Sequence, residues 1–131
     1  MQYLNYNIER LRQNAPELAE AVRHSVGGVL TIVPSREGSP SATHEGQWVH
    51  SAYDPKKEAG SWAEQQRKEW KTEEVAVILG VGLLYRVEAL ALAHSPDARI
   101  VVVVPDVSVL KDAMGARPLG PWVDRIHWVN G

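Results

Sequence analysis

The sequence predicts an α/β protein. N-terminal helices and a β-hairpin precede a Rossmann-like parallel β-α-β-α-β unit, which is half of a doubly wound sheet. Three observations carry this. Two short apolar runs, Val75–Leu79 and residues 100–104, have strand length and are rich in valine and isoleucine. Gly80 and Gly82 directly follow the first run. Helical spacing fills the intervals between the runs, and strands alternating with helices in this way imply right-handed crossovers and a parallel sheet.

Residues 5–23 read as helical, because Ile8, Leu11, Ala15, Leu18, Ala19 and Val22 recur at helical spacing. Pro16 would break a helix interior but fits a first turn, so two short helices are expected, the second starting near Ala15. Residues 29–33 form the first expected strand. Residues 34–46, rich in Ser, Gly and Pro, read as an exposed loop, and residues 47–50 as a second strand. Together they make a hairpin with a long connection. Asp54 then caps a helix with Pro55 at its first position, running to about Trp70. Trp62 and Trp70 are expected in the core.

Residues 71–74 are a polar break. They divide an N-terminal helix and hairpin region, 1–74, from a Rossmann-like half-domain, 75–131. In the second region Val75–Leu79 and Arg99–Val104 read as strands buried on both faces. Residues 83–94, burying Leu84, Val87, Ala91 and Leu92, and residues 107–114, ended by Gly115, read as helices. Residues 125–129 form the third strand. Such a sheet leaves the edge of its first strand open. Either the hairpin or a partner molecule covers that edge, or the sequence is a piece of a longer polypeptide.

Composition removes several function classes. Net charge is −2 in 131 residues, so no basic surface marks a nucleic-acid partner. Cysteine is absent, which excludes disulfides, thiolate catalysis and zinc–cysteine sites. No apolar run approaches the length that crosses a bilayer, and the first ten residues lack a signal peptide's apolar stretch, so a cytoplasmic protein is expected. Tryptophan occurs five times and phenylalanine not at all. Trp122 and Trp128 are candidates for an interface.

A glycine turn between a parallel strand and a helix is a nucleotide site for physical reasons: glycine permits a sharp turn and close approach, and the helix N-terminus offers free N–H groups. Gly80 and Gly82 fit. The third small residue does not, because Leu84 and Tyr85 stand at the two common spacings. Val104 stands where the ribose-binding acid belongs, leaving Asp106 as its substitute. These three residues make nucleotide or S-adenosylmethionine binding, as in methyltransferases, one alternative. A homodimeric interaction module is another. The histidines form no metal-ligand pair. Ser51 with His50 and Asp54 has the residue types of a hydrolase triad, but the residues are too crowded and no nucleophile elbow is present.

Two ordered stretches, His50-Ser51-x-Tyr53-Asp54-Pro55-x-x-Glu58-Ala59 and Ile78-Leu79-Gly80-x-Gly82-Leu83-Leu84-Tyr85, followed by residues 101–106, resemble the N-terminal domain of the motility-associated factor glycosyltransferases. The resemblance runs from about Asn5 to Val129. It implies a bacterial cytoplasmic protein whose full-length relatives transfer nonulosonic acids onto flagellin, with the catalytic domain C-terminal to this portion. It also implies flagellin, or that transferase domain, as partner. The family usually has glycine where Leu84 stands and glutamate where Val104 stands. Both departures count against ligand binding by this chain.

Overall fold

Proline and aspartate set where the helices begin. In the computed structural model, which describes residues 3–70 and 75–131, α1 (Leu4–Arg12) and α2 (Pro16–His24) separate at the expected break, with Pro16 at a first-turn position. Ile8, Leu11, Leu18, Ala19 and Val22 are buried, and both helices pack on α5 (Val107–Ala116). The polar break at residues 71–74 lies outside the described residues.

α5 also holds the segment that leaves α2. The Asp112 carboxylate accepts the backbone N–H groups of Gly28, Val29 and Leu30 at 2.6, 2.9 and 2.8 Å. Lys111 Nζ donates to the carbonyls of Arg23 and Ser25. Consecutive N–H groups converging on one carboxylate form an anion nest that the chain fills with its own side chain.

The hairpin expectation is corrected. Residues 34–46 are not a long loop, because β2 (Pro40–His44) lies within them and pairs with both β1 (Thr31–Pro34) and β3 (Gln47–Trp48) in an antiparallel meander. Serine and glycine masked a strand that buries Ser41 and Ala42. Its first turn closes through Ser35 N–H to the Ser39 carbonyl at 2.8 Å. Its second is the two-residue turn Glu45-Gly46, both at positive φ as primed hairpin turns require. α3 (Pro55–Glu69) follows with Asp54 as N-cap and Pro55 at the start, as expected, and packs on α4 (Tyr85–Ala93).

The second half is an α/β Rossmann-like unit. β4 (Val75–Leu79), β5 (Arg99–Val104) and β6 (Ile126–Asn130) are parallel in the order β4-β5-β6, and a 3-10 helix (Pro121–Arg125) leads into β6. Several expectations shift here. α4 starts at Tyr85 rather than at 83, because Leu84 adopts a left-handed φ of 71°. Leu92 is exposed, and Leu90 takes its place in the buried stripe. Gly115 lies inside α5, whose cap is Arg117. Trp122 is buried in the core, so it marks no interface, while Trp128 is half-buried with its indole donating to the Val123 carbonyl.

The largest correction concerns the sheet, which described helices cover on one face only. Two successive right-handed crossovers in the same direction put α4 and α5 on one side. Ile100, Val102, Val104 and Ile126 are buried there. The opposite side carries Val75, Val77 and Leu79 in register with Arg99, Val101 and Val103, and these last two with His127 and Val129. Val77 is 59% exposed, Leu79 79% and Val129 37%. The meander is a separate sheet, and β5 is the neighbour of β4 among the described residues. No described helix is long and apolar enough to cross a membrane.

Candidate functional site

The segment His50–Glu58 is a capping cassette. The Ser51 hydroxyl oxygen accepts the N–H groups of Tyr53 and Asp54, each at 3.1 Å. Glu58 Oε1 accepts Ser51 N–H at 3.0 Å, and Asp54 Oδ1 accepts Lys57 N–H at 3.0 Å. The last bond satisfies a donor that the start of α3 would leave open, and the others fix the turn leading into it. Pro55 is buried, and the exposed Tyr53 ring lies under Arg36. The cassette aims the preceding residue, His50, inward.

His50 docks on the glycine turn. Its Nε2 accepts Leu83 N–H at 2.8 Å, so the neutral ring carries its proton on Nδ1. Burial, with Arg117 and Arg86 adding to it, lowers its pKa from 6.5 to about 4. The ring stands edge-on to Tyr85, centroids 5.1 Å apart. Gly82 has a φ of +48°, and a Cβ there would lie 2.7 Å from His50 Nε2 and 3.0 Å from Cε1. The two halves of the sequence signature are thus one contact. Glycine is required at 82 because a histidine fills the space that a side chain would occupy.

Two further donors of the turn are also spent. Gly80 N–H donates to the Val103 carbonyl at 3.0 Å, and Leu84 N–H to the Val81 carbonyl at 2.7 Å. Leu84, fully buried, holds the left-handed conformation that glycine adopts freely. Beside the turn, at the C-terminal end of β4, lies a groove of about 410 Å³ between Val49-His50, Trp62, Leu79-Gly80 and Arg86. The Arg86 guanidinium sits 5.2 Å over the Trp62 ring. Space above Gly80 is open, with no heavy atom within 4 Å of the position of a Cβ.

Gly80 and Gly82 therefore line one groove with His50, but Asp106 does not join them. It is the N-cap of α5, with Oδ1 accepting Ser108 N–H at 2.9 Å. Ser51, Asp54 and Glu58 are engaged in capping, so no triad forms with His50. Among the described residues no group of His, Asp and Glu is placed to hold a metal.

Behind the turn lies a buried polar cluster that the sequence did not announce. Arg117 donates to the Leu83 carbonyl at 2.8 Å, pairs with Glu88, and sits 3.7 Å from the Tyr85 ring centroid. Tyr85 donates to the Pro40 carbonyl. Asn7 donates to the carbonyls of Met114 and Arg117, both at 2.8 Å, and accepts Leu119 N–H at 3.2 Å. These residues hold the turn in shape from below.

Gly82→Ala is expected to destabilise the fold by about 2–4 kcal/mol, the sum of left-handed backbone strain and overlap with His50. Gly80→Ala, facing open space, should cost only the backbone part, about 1–2 kcal/mol. Paired urea titrations check the order.

No family model matches the chain. An uncharacterized protein of Treponema pallidum (strain Nichols) is 29% identical over 126 residues, covering 88% of this chain and 42% of that protein. The solved structure of a MAf glycosyltransferase from Magnetospirillum magneticum AMB-1 matches 98% of this chain with a TM-score of 0.70 at 17% identity, and the match covers 27% of that enzyme. The chain has a Maf-like fold. It spans under half the length of the first protein and about a quarter of the second.

Proposed function

We propose that this chain is a non-catalytic, cytoplasmic Rossmann-like domain of the motility-associated factor type, working in docking or scaffolding. The observation that carries the reading is the glycine turn. Three of the five N–H groups of the segment 80–84 are bonded inside the fold, one of them to a histidine seated over Gly82. A phosphate cradle needs such donors free. His50 is neutral at pH 7 with Nε2 engaged, which leaves the groove no general base. The Maf-like fold supports the family, in which full-length proteins of the type that this sequence resembles glycosylate flagellin with nonulosonic acids. The docking partner in that setting is the transferase domain or flagellin.

Isothermal titration with S-adenosylmethionine, NAD and a nucleotide sugar is expected to give no heat, and none of the three should raise the melting temperature. Saturable heat with S-adenosylmethionine or NAD, abolished by Asp106→Ala in a folded variant, would replace this reading with a nucleotide-binding one.

A further inference from the structure

We infer that the turn leaving α2 is a carboxylate-binding site occupied by the chain's own Asp112, and that the same site takes a free carboxylate, formate being the smallest, once that side chain is removed. The inference goes beyond the docking reading above and does not depend on it. Three consecutive N–H groups meet the two oxygens of one carboxylate. Oδ1 accepts Gly28 N–H at 2.6 Å, and Oδ2 accepts Val29 and Leu30 N–H at 2.9 and 2.8 Å. Gly27 and Gly28 stand at φ +75° and +73°, a backbone that other residues rarely adopt, and a Cβ on Gly27 would lie 3.2 Å from Asp112 Oδ1. The turn is thus shaped around an anion, as backbone nests are.

The turn is held in this shape by groups other than Asp112. On the α2 side, Lys111 Nζ donates to the carbonyls of Arg23 and Ser25, and the Ser25 hydroxyl donates to the Val22 carbonyl. On the β1 side, Leu30 is buried and Thr31 pairs with Thr43 of β2. Both ends of the segment therefore stay fixed when the carboxylate goes, and the three donors remain gathered. The Lys111 ammonium, bonded to the same segment, keeps a positive charge beside them. Gly28 is exposed and Asp112 half-buried, so an ion from solution reaches the site. Asp112→Ala removes the carboxylate and keeps the Cβ, which leaves room for formate and puts a good helix former within α5. Asp112→Asn is the same size as aspartate. It fills the space and leaves no room for an ion.

The test is amide hydrogen exchange in the full chain, read at Gly28, Val29 and Leu30. Wild type, Asp112→Ala and Asp112→Asn are compared in sodium formate and in sodium chloride at equal ionic strength. In chloride, Asp112→Ala is expected to exchange at these amides roughly 10–100-fold faster than the wild type, which is the loss of hydrogen bonds to a charged acceptor. Formate should restore their protection saturably in Asp112→Ala and leave the wild type and Asp112→Asn unchanged. An Asp112→Ala chain that is unfolded in chloride should fold when formate is added. Unchanged exchange in Asp112→Ala, no recovery in formate, equal recovery in chloride, or equal recovery in Asp112→Asn would overturn the inference. So would an Asp112→Ala chain that stays unfolded in both salts.

Discussion

Acidification from pH 7 to pH 4 should remove about 3 kcal/mol of folding stability through His50 alone. The folded pKa of this histidine is held near 4 against an ordinary 6.5, chiefly by burial and secondarily by Arg117 and Arg86. Above pH 6.5 the ring is neutral in both folded and unfolded chains, and the full stability is present. Between 6.5 and 4 the unfolded chain takes up a proton that the folded chain refuses. Stability falls by about 1.4 kcal/mol per pH unit over that window and levels off below it. Protonation would also set an N–H against the Leu83 N–H that Nε2 now accepts. His94 is lowered as well, by burial first, and tilts the curve in the same direction. The informative quantity is therefore the difference between the wild type and His50→Gln in chemical denaturation at half-unit pH steps. The variant should lose the His50 share of the slope. Parallel curves for the two proteins would show that His50 is not held neutral by the fold.

Arg117→Ala is expected to cost about 3–5 kcal/mol, the penalty for breaking a buried pair from one side. Three partners lose their counterpart together: Glu88, the Leu83 carbonyl and the face of Tyr85. Glu88, 27% exposed, is then left without its partner. Replacing both charges, Arg117→Met with Glu88→Leu, should recover much of the loss, because the desolvation cost of the pair vanishes with it. A double-mutant cycle in urea reads the coupling, and strict additivity would mean that the pair contributes nothing as a pair.

The parts of the fold that were legible in the sequence are those written in local chemistry. Pro16, Asp54 and Pro55 mark helix starts by mechanisms that act within one turn, and each is where it was expected. β4 and β5 are uninterrupted aliphatic runs. β2 was missed because its serine and threonine carry no alternation, and only its pairing with β1 and β3 makes it a strand. The exposure of β4 could not be read either, since an apolar run looks the same whether one face or two are covered. For the site, Gly80 and Gly82 were legible as a turn and His50 as part of a motif, but their contact was not. Nothing in a sequence joins position 50 to position 82. Arg117, Glu88 and Asn7 were invisible for the same reason, being separated by 29 to 112 residues from the groups that they bond.

Asn7 has a consequence for how the chain is made. Its side chain bonds Met114, Arg117 and Leu119, so this polar anchor of the N-terminal helix forms only after residues 114–119 have been made. At about 5–20 residues per second, roughly 6–22 s separate the synthesis of Asn7 from that of Leu119. During that interval α1 and α2 leave the ribosome with Leu11 and Val22 uncovered, and the segment after them waits for Asp112. Over that interval the nascent chain is an open amphipathic pair, a substrate for chaperones that bind exposed apolar stretches.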